Sequence, residues 1–434
     1  MKKINIIFIL LVTLVFQSCL KDDKENFPIS ASARMEQRLA ENLETLLAPA
    51  NGWQMKYYPQ SHQAFGGFNI FLQFNEKGEV TVMSERGGAA KTVKSLYSLS
   101  ADNGPVLRFD THNELFHYYA EPKNPDGIGP ADSGMQGDYE FVIQEATPEQ
   151  VVLKGKKTNN KIILLPLPDT DWTIEMGEIL VLNNQIDGYC AYEYQVGSMT
   201  AQVFRDFRNL TFHYTEDGVE KDHSVGYLPT KDGFELYEPL TLGGVEVSTF
   251  TFHYDEENPY FDNAAAQATL KVVPAPLSYL LVNGQWYFSM KNMGFYGKKY
   301  WRDSYEKKIK PRGVRVESIF LGKEGNAFGV SYRANKVGYE PIPGMFTFSY
   351  QIVDDNTVRV NWNGGGSGTY IMYGILYGFN FVIHPVSNSP ALIREFNIET
   401  DDPLKPSWLH LKEEGKPLNH FKLFKEEVQL PFVN

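Results

Sequence analysis

The sequence predicts a mainly β protein of antiparallel sheets, sandwich- or barrel-like, entered through few helices. Three observations carry that expectation. Short apolar–polar alternations recur along most of the chain, separated by turns rich in Gly, Pro, Asn and Asp. Aromatic residues are abundant, with 29 Phe, 25 Tyr and 6 Trp in 434 residues, and they suit the half-buried face of a pleated strand. A hydrophobic content of 42% beside 22% charged residues is that of a globular chain with real cores.

Residues 1–18 read as a signal peptide. Lys2 and Lys3 precede an almost wholly apolar run from Ile4 to Phe16. That run is shorter than the about 20 residues a spanning helix needs and fits a secretory h-region. Ser18-Cys19 follows where cleavage falls. The pattern resembles a bacterial lipoprotein signal, in which Cys19 becomes the acylated N-terminus, although Phe16 and Gln17 depart from the usual aliphatic and small residues. Lys21-Asp22-Asp23 resembles the segment that sends Bacteroidota lipoproteins to the outer leaflet of the outer membrane. Several acyl chains hold firmly where one holds weakly, so a triacylated Cys19 would serve as the membrane anchor. Residues 19–32 are then the lipidated cysteine and a polar, flexible tether.

A helix plus β-domain is expected over 33–168. Ser32 is placed to cap a helix from Ala33 to Ala48, with Met35, Leu39, Leu43, Leu46 and Leu47 on one face. Pro49 and Asn51-Gly52 end it. From Trp53 the period changes to two. Strands are expected at 68–74, 80–82, 106–109, 115–119, 139–143, 151–154 and 161–165, with Asn75-Glu76-Lys77-Gly78 as a turn and 121–137 as a loop.

A second, related helix-plus-β unit is expected over 169–276. Asp169 or Asp171 caps a helix from Trp172 to Ile186, and the earlier order then recurs. Asn51-Gly52-Trp53 is matched by Asp187-Gly188-Tyr189, the 70–78 hairpin by 210–218, and Asp102-Asn103-Gly104 by Lys231-Asp232-Gly233. A further β section occupies 277–434, either a unit of its own or the completion of the second. It carries expected strands at 314–321, 327–333, 345–353, 357–362, 370–383 and 408–424, with the glycine-rich 363–368 stretch as a hairpin turn.

The net charge of −12 argues against nonspecific nucleic-acid binding, which depends on Lys and Arg. With Cys19 lipidated, Cys190 is the one remaining thiol, so no internal disulfide is expected; it reads as a buried, inert thiol on a strand. The nine histidines form no H-E-x-x-H and no zinc spacing. His112 and His117 are expected on opposite faces of a strand. The 364–368 glycines lack the Lys-Ser/Thr of a phosphate loop, and Thr369 stands where a nucleophile elbow needs Gly. The acidic pairs Asp354-Asp355 and Asp401-Asp402 read as solvated turns. The Asp255–Asp262 loop offers oxygen ligands for calcium without EF-hand spacing; no other metal or cofactor is expected.

The stretch from Trp286 to Arg315 stands out. Lys298, Lys299, Arg302, Lys307, Lys308, Lys310, Arg312 and Arg315 face only Asp303 and Glu306 in an otherwise acidic chain. Aromatics beside cations can stack on sugar rings and attract anionic groups. The candidate ligand-binding residues are Trp286, Tyr296, Tyr300, Trp301, Tyr305, Lys298 and Arg302; the alternative is a core strand followed by a solvated basic loop.

The lipobox with its acidic run, the helix over 34–47, Asn51-Gly52-Trp53-Gln54-Met55-Lys56-Tyr57-Tyr58-Pro59, Gly66-Gly67-Phe68 and Phe74-Asn75-Glu76-Lys77-Gly78 together resemble a Bacteroidota outer-membrane lipoprotein family of unknown function. The resemblance implies an outer-membrane, surface-exposed, lipid-anchored protein. Its expected role is accessory to nutrient uptake, binding a glycan or peptide beside an outer-membrane transporter. It assigns no catalytic residue. Two other classes stay open: a structural subunit of an outer-membrane complex, and a hydrolase whose residues converge only in three dimensions.

Overall fold

A computed structural model describes residues 29–126, 128–130, 132–336 and 338–433. The signal peptide, Cys19 and Lys21-Asp22-Asp23 lie outside the described residues. The protein is mainly β, and the order helix, then eight antiparallel strands closed into a barrel, occurs three times. The chain divides into two compact units, one holding the first barrel and the other holding the second and third. Among the described residues, no helix is long and apolar enough to cross a membrane.

The first unit opens with α1 (Ala31–Leu47), capped by Ser30, whose hydroxyl accepts from the Ala33 N–H at 3.2 Å; Ser32, the expected cap, sits inside the helix. Its barrel comprises β1 (Trp53–Tyr57), β2 (Phe68–Phe74), β3 (Glu79–Ser84), β4 (Val93–Ala101), β5 (Pro105–Phe109), β6 (Glu140–Ala146), β7 (Val151–Gly155) and β8 (Lys161–Pro166). Closure pairs β1 with β8, Trp53 opposite Pro166. In β1, Trp53, Met55 and Tyr57 are buried while Gln54 and Lys56 are partly exposed, the period-two alternation of a barrel wall. The Asn75 side chain shapes the β2–β3 turn by accepting from the Lys77 and Glu79 N–H groups. Residues 115–119 are not a strand. Asn113 turns the chain there, and a single 3-10 turn covers His117–Tyr119.

The second barrel is entered through α2 (Trp172–Ile186), which begins where the Asp171 carboxylate accepts from the Thr173 N–H at 2.7 Å. The barrel runs β9 (Ala191–Val196), β10 (Met199–Asp206), β11 (Asn209–Glu216), β12 (Val219–Pro229), β13 (Gly233–Leu242), β14 (Val245–His253), β15 (Tyr260–Asn263) and β16 (Ala268–Val273), closed by β16 on β9. Leu182 and Ile186 join its core beside Tyr194, Phe212 and Phe261. One expected correspondence is a strand out of step. Residues 70–78 form the second strand of their barrel and the turn to the third, whereas 210–218 form the third strand of theirs and the turn to the fourth. The other two hold their places, before the first strand and between the fourth and fifth. Asn-, Asp- and Gly-based turns look alike wherever they occur.

The third β section closes on itself. α3 (Leu277–Asn283) leads into β17 (Gln285–Met293), followed by β18 (Val314–Glu324), β19 (Ala327–Lys336), β20 (Ile342–Asp354), β21 (Thr357–Gly368), β22 (Arg394–Thr400), β23 (Trp408–Glu413) and β24 (His420–Phe424), with β24 on β17. Phe204 of β10 stacks on Tyr279 of α3 at 4.1 Å. Three expectations are corrected here. The basic stretch after β17 is helical, with α4 (Phe295–Ser304) continuing through tighter and wider turns to Arg312. The glycines of 363–368 lie in β21, where Gly366 pairs with Phe346 and Trp362 with Phe348, so 363–365 bulge out of the ladder. Residues 370–383 are helical turns, because Tyr373, Gly374, Gly378, Phe379, Val382 and Ile383 are buried at helical spacing.

Candidate functional site

The residue before α4 is Gly294, the only residue type that fits there: a Cβ would come within 2.6 Å of the Leu418 carbonyl oxygen. The Gly294 N–H donates to the His420 carbonyl at 2.8 Å and the Tyr296 N–H to that of Leu418 at 3.1 Å, which ties the helix to β24 and the loop before it. Gly297, Trp301 and Ser304 then face inward.

Trp301 is fully buried. Its indole N–H donates to the Val382 carbonyl at 2.9 Å, and its ring packs between Phe288 and Phe432. Trp286 is buried too, donating to the Leu280 carbonyl at 2.8 Å. Neither indole presents a face to solvent; both hold the third barrel together. Tyr305 stacks on Phe432 at 4.8 Å and borders a separate cavity of about 200 Å³ that Lys310, Arg315 and Leu430 also line. Lys298 is partly exposed and Arg302 exposed on α4; among the described residues neither is ion-paired.

Tyr296 and Tyr300 come together, ring centroids 4.9 Å apart. Tyr300 stacks on His384 at 4.2 Å, and Phe381 lies parallel to the same imidazole at 5.5 Å. The four half-exposed rings form a row. Arg394 donates to the Tyr296 hydroxyl at 3.1 Å with its guanidinium 5.3 Å from that ring. Below the row, Arg394 pairs with Glu413, which also accepts from Lys416 and Asn419. Burial works to raise the Glu413 pKa, but the bonds from Lys416, Asn419 and Arg394 hold it below the usual carboxylate range. Burial, then the Arg394 charge, pushes His384 down to about 4, so its ring is neutral at physiological pH. His384, Phe381 and Arg394 stand about 80 to 100 positions from α4, and no local sequence pattern ties them to it.

The other sequence candidates sit apart. His112 and His117 are neighbours, ring centroids 5.4 Å apart, because the chain turns between them instead of running as a strand. Cys190 is half-buried just before β9, with its thiol on the Gly188 carbonyl. In the proposed calcium loop, Asp255 accepts from the Glu257 and Asn258 N–H groups and Asp262 is bonded to His253 at 2.8 Å. Among the described residues, no three His, Cys, Asp or Glu are grouped to hold a metal ion. The arrangement on the third barrel can stack a ring-shaped ligand and engage hydroxyl or anionic substituents.

A family model described as a domain of unknown function (DUF4302) matches residues 23–254, which ends before the row of rings. No curated protein matches. Among solved structures, the chain is similar to the DNA polymerase III beta chain of Streptococcus pneumoniae TIGR4, with 11% identity over 91% of this chain and 97% of that one and a TM-score of 0.12. It is similar also to a putative DNA polymerase III beta subunit of Eubacterium rectale (8%, 92% and 98%, TM-score 0.14) and to the DNA polymerase sliding clamp of Caulobacter crescentus (10%, 90% and 97%, TM-score 0.14). At these TM-scores the likeness carries no argument about fold or activity.

Proposed function

The chain belongs to the DUF4302 family of unknown function, and from that premise we propose that it is a lipid-anchored outer-membrane protein that binds a glycan or related nutrient ligand at the cell surface, as an accessory to uptake. The observation that carries the binding reading is the row Tyr296–Tyr300–His384–Phe381 with Arg394 at its end. Stacked rings offer apolar faces to the C–H side of a sugar, and the neighbouring cations of α4 favour carboxylate or sulfate substituents. A neutral His384 keeps the row uncharged at its centre. The address rests on Ser18-Cys19 and Lys21-Asp22-Asp23 and on the resemblance to Bacteroidota lipoproteins.

A glycan array probed with residues 20–434, which keep every described residue, tests the binding reading. Binding that falls about tenfold or more, a loss of roughly 1.4 kcal/mol, in Tyr300→Ala and His384→Ala supports it. Binding unchanged in both variants removes this row as the site. For the address, a clickable fatty acid should label the full chain but not Cys19→Ala, and protease added to intact cells should degrade the protein.

A further inference from the structure

The helical turn Tyr370–Leu376 carries its apolar side outward. Tyr373 and Gly374 are buried, while Ile371 is 70%, Met372 41%, Ile375 43% and Leu376 63% exposed. The β19–β20 hairpin adds Tyr339 and Ile342, both exposed. It lies alongside, because the Pro343 carbonyl accepts from the Thr369 N–H at 3.1 Å. Large aliphatic side chains gathered on one exposed turn mark a surface that meets another apolar phase.

Cations stand at the foot of the turn. The Arg312 guanidinium lies 5.6 Å and the Lys336 ammonium 5.7 Å from the Tyr377 ring. Lys308 packs on Gly378, where an added Cβ would come within 2.5 Å of its own. Among the described residues, none of these three is ion-paired. Glu340 is the acid in the turn between β19 and β20. In a chain of net charge −12, three unpaired cations beside an apolar turn are a local reversal of sign. The turn is exposed and aliphatic, with tyrosines at its margin and long cationic side chains beside it. That is the chemistry of an interfacial membrane contact; the cores of protein interfaces are depleted in Lys.

We propose that this turn is a membrane-docking patch, with Ile371, Met372, Ile375 and Leu376 entering the boundary between acyl chains and headgroups while Lys308, Arg312 and Lys336 meet anionic headgroups. The patch acts without the lipid anchor and without the row of rings. Residues 20–434 are therefore tested unlipidated, by co-sedimentation with vesicles of mixed phosphatidylcholine and phosphatidylglycerol. The expected result is binding that weakens as salt rises and falls about tenfold or more in Ile371→Ser/Leu376→Ser. Lys308→Glu/Arg312→Glu should remove the preference for anionic over pure phosphatidylcholine vesicles. All these positions are exposed, so far-UV circular dichroism should be unchanged. Equal sedimentation of the wild-type chain and Ile371→Ser/Leu376→Ser overturns the proposal. So does a wild-type chain that ignores vesicles but self-associates through these residues, which makes the patch a protein interface. Glycan binding retained by the serine variant separates this outcome from the ligand-binding reading.

Discussion

The guanidinium of Arg394 meets both carboxylate oxygens of Glu413, at 2.7 and 2.6 Å, with each side chain only 4% exposed. The two residues sit on the adjacent strands β22 and β23, and the same guanidinium holds the Tyr296 hydroxyl. A buried pair costs most when one member is removed, because the other is left charged without a partner. Glu413→Gln should therefore lower stability by about 3–5 kcal/mol in urea unfolding. Arg394→Met/Glu413→Leu should recover much of that loss. A double variant as weak as the single would mean that the pair is more than a matched set of buried charges.

Trp53 and Trp286 make the same bond in different barrels. Each indole N–H reaches back to a carbonyl of the preceding helix, Leu46 at 2.9 Å and Leu280 at 2.8 Å. Trp53→Phe or Trp286→Phe keeps most of the packing but removes the indole bond, although the Leu280 carbonyl still accepts from the Gly284 N–H at 2.9 Å. The expected loss is about 1–3 kcal/mol each, read from the denaturation midpoint.

Two neighbours on α4 should behave in opposite ways. Trp301→Ala opens a cavity in the third barrel's core and should cost about 3–5 kcal/mol. Tyr300→Ala, half-exposed, should cost under about 1 kcal/mol while weakening ligand binding. Comparable stability losses in the two variants would contradict the inward placement of Trp301.

Stability should fall on mild acidification. Burial, with nearby positive charge, pushes His384 and His410 to about 4 from the ordinary 6.5, and burial lowers His117 as well. Above 6.5 these rings are neutral in both folded and unfolded chains. Between 6.5 and 4 the unfolded chain takes up protons that the folded chain refuses, so unfolding is favoured progressively through that window. The thermal midpoint should be flat above pH 7 and drop towards pH 4.5, with a shallower drop in His384→Gln. An unchanged slope in that variant would mean that His384 does not bear on the acid limb.

The strands and first two helices were legible because they follow local rules. Trp53, Met55 and Tyr57 alternate, Asn75 and Gly78 shape their turn, and Asp171 caps its helix. The misread segments are those where tertiary contacts overrule composition. The aromatic and aliphatic run from Tyr370 to Ile383 looks like a strand, yet its buried positions are spaced for helical turns that pack against Phe346 and Trp301. The glycine-rich 363–368 stretch departs from expectation for a similar reason: glycines that suit a turn also suit a bulge within β21. At the candidate site, the basic-aromatic composition of α4 was visible, but composition could not separate Trp301, which faces in, from Tyr300, which faces His384. That separation depends on helix phase and on a loop distant in sequence.

Each barrel's last strand returns to pair with its first, Trp53 with Pro166, Ala191 with Val273 and Tyr287 with Phe424. Closure of this kind removes the free first and last edges of each sheet, and what stays unpaired on one side is confined to overhangs such as 348–354 of β20 and 361–368 of β21. An extended peptide, or a second copy of the chain, therefore finds no end strand to zip onto and only these short overhangs to pair with. Recognition falls to side chains carried on the helices and turns around the barrels, which are free to diversify while the hydrogen-bonded walls behind them stay intact.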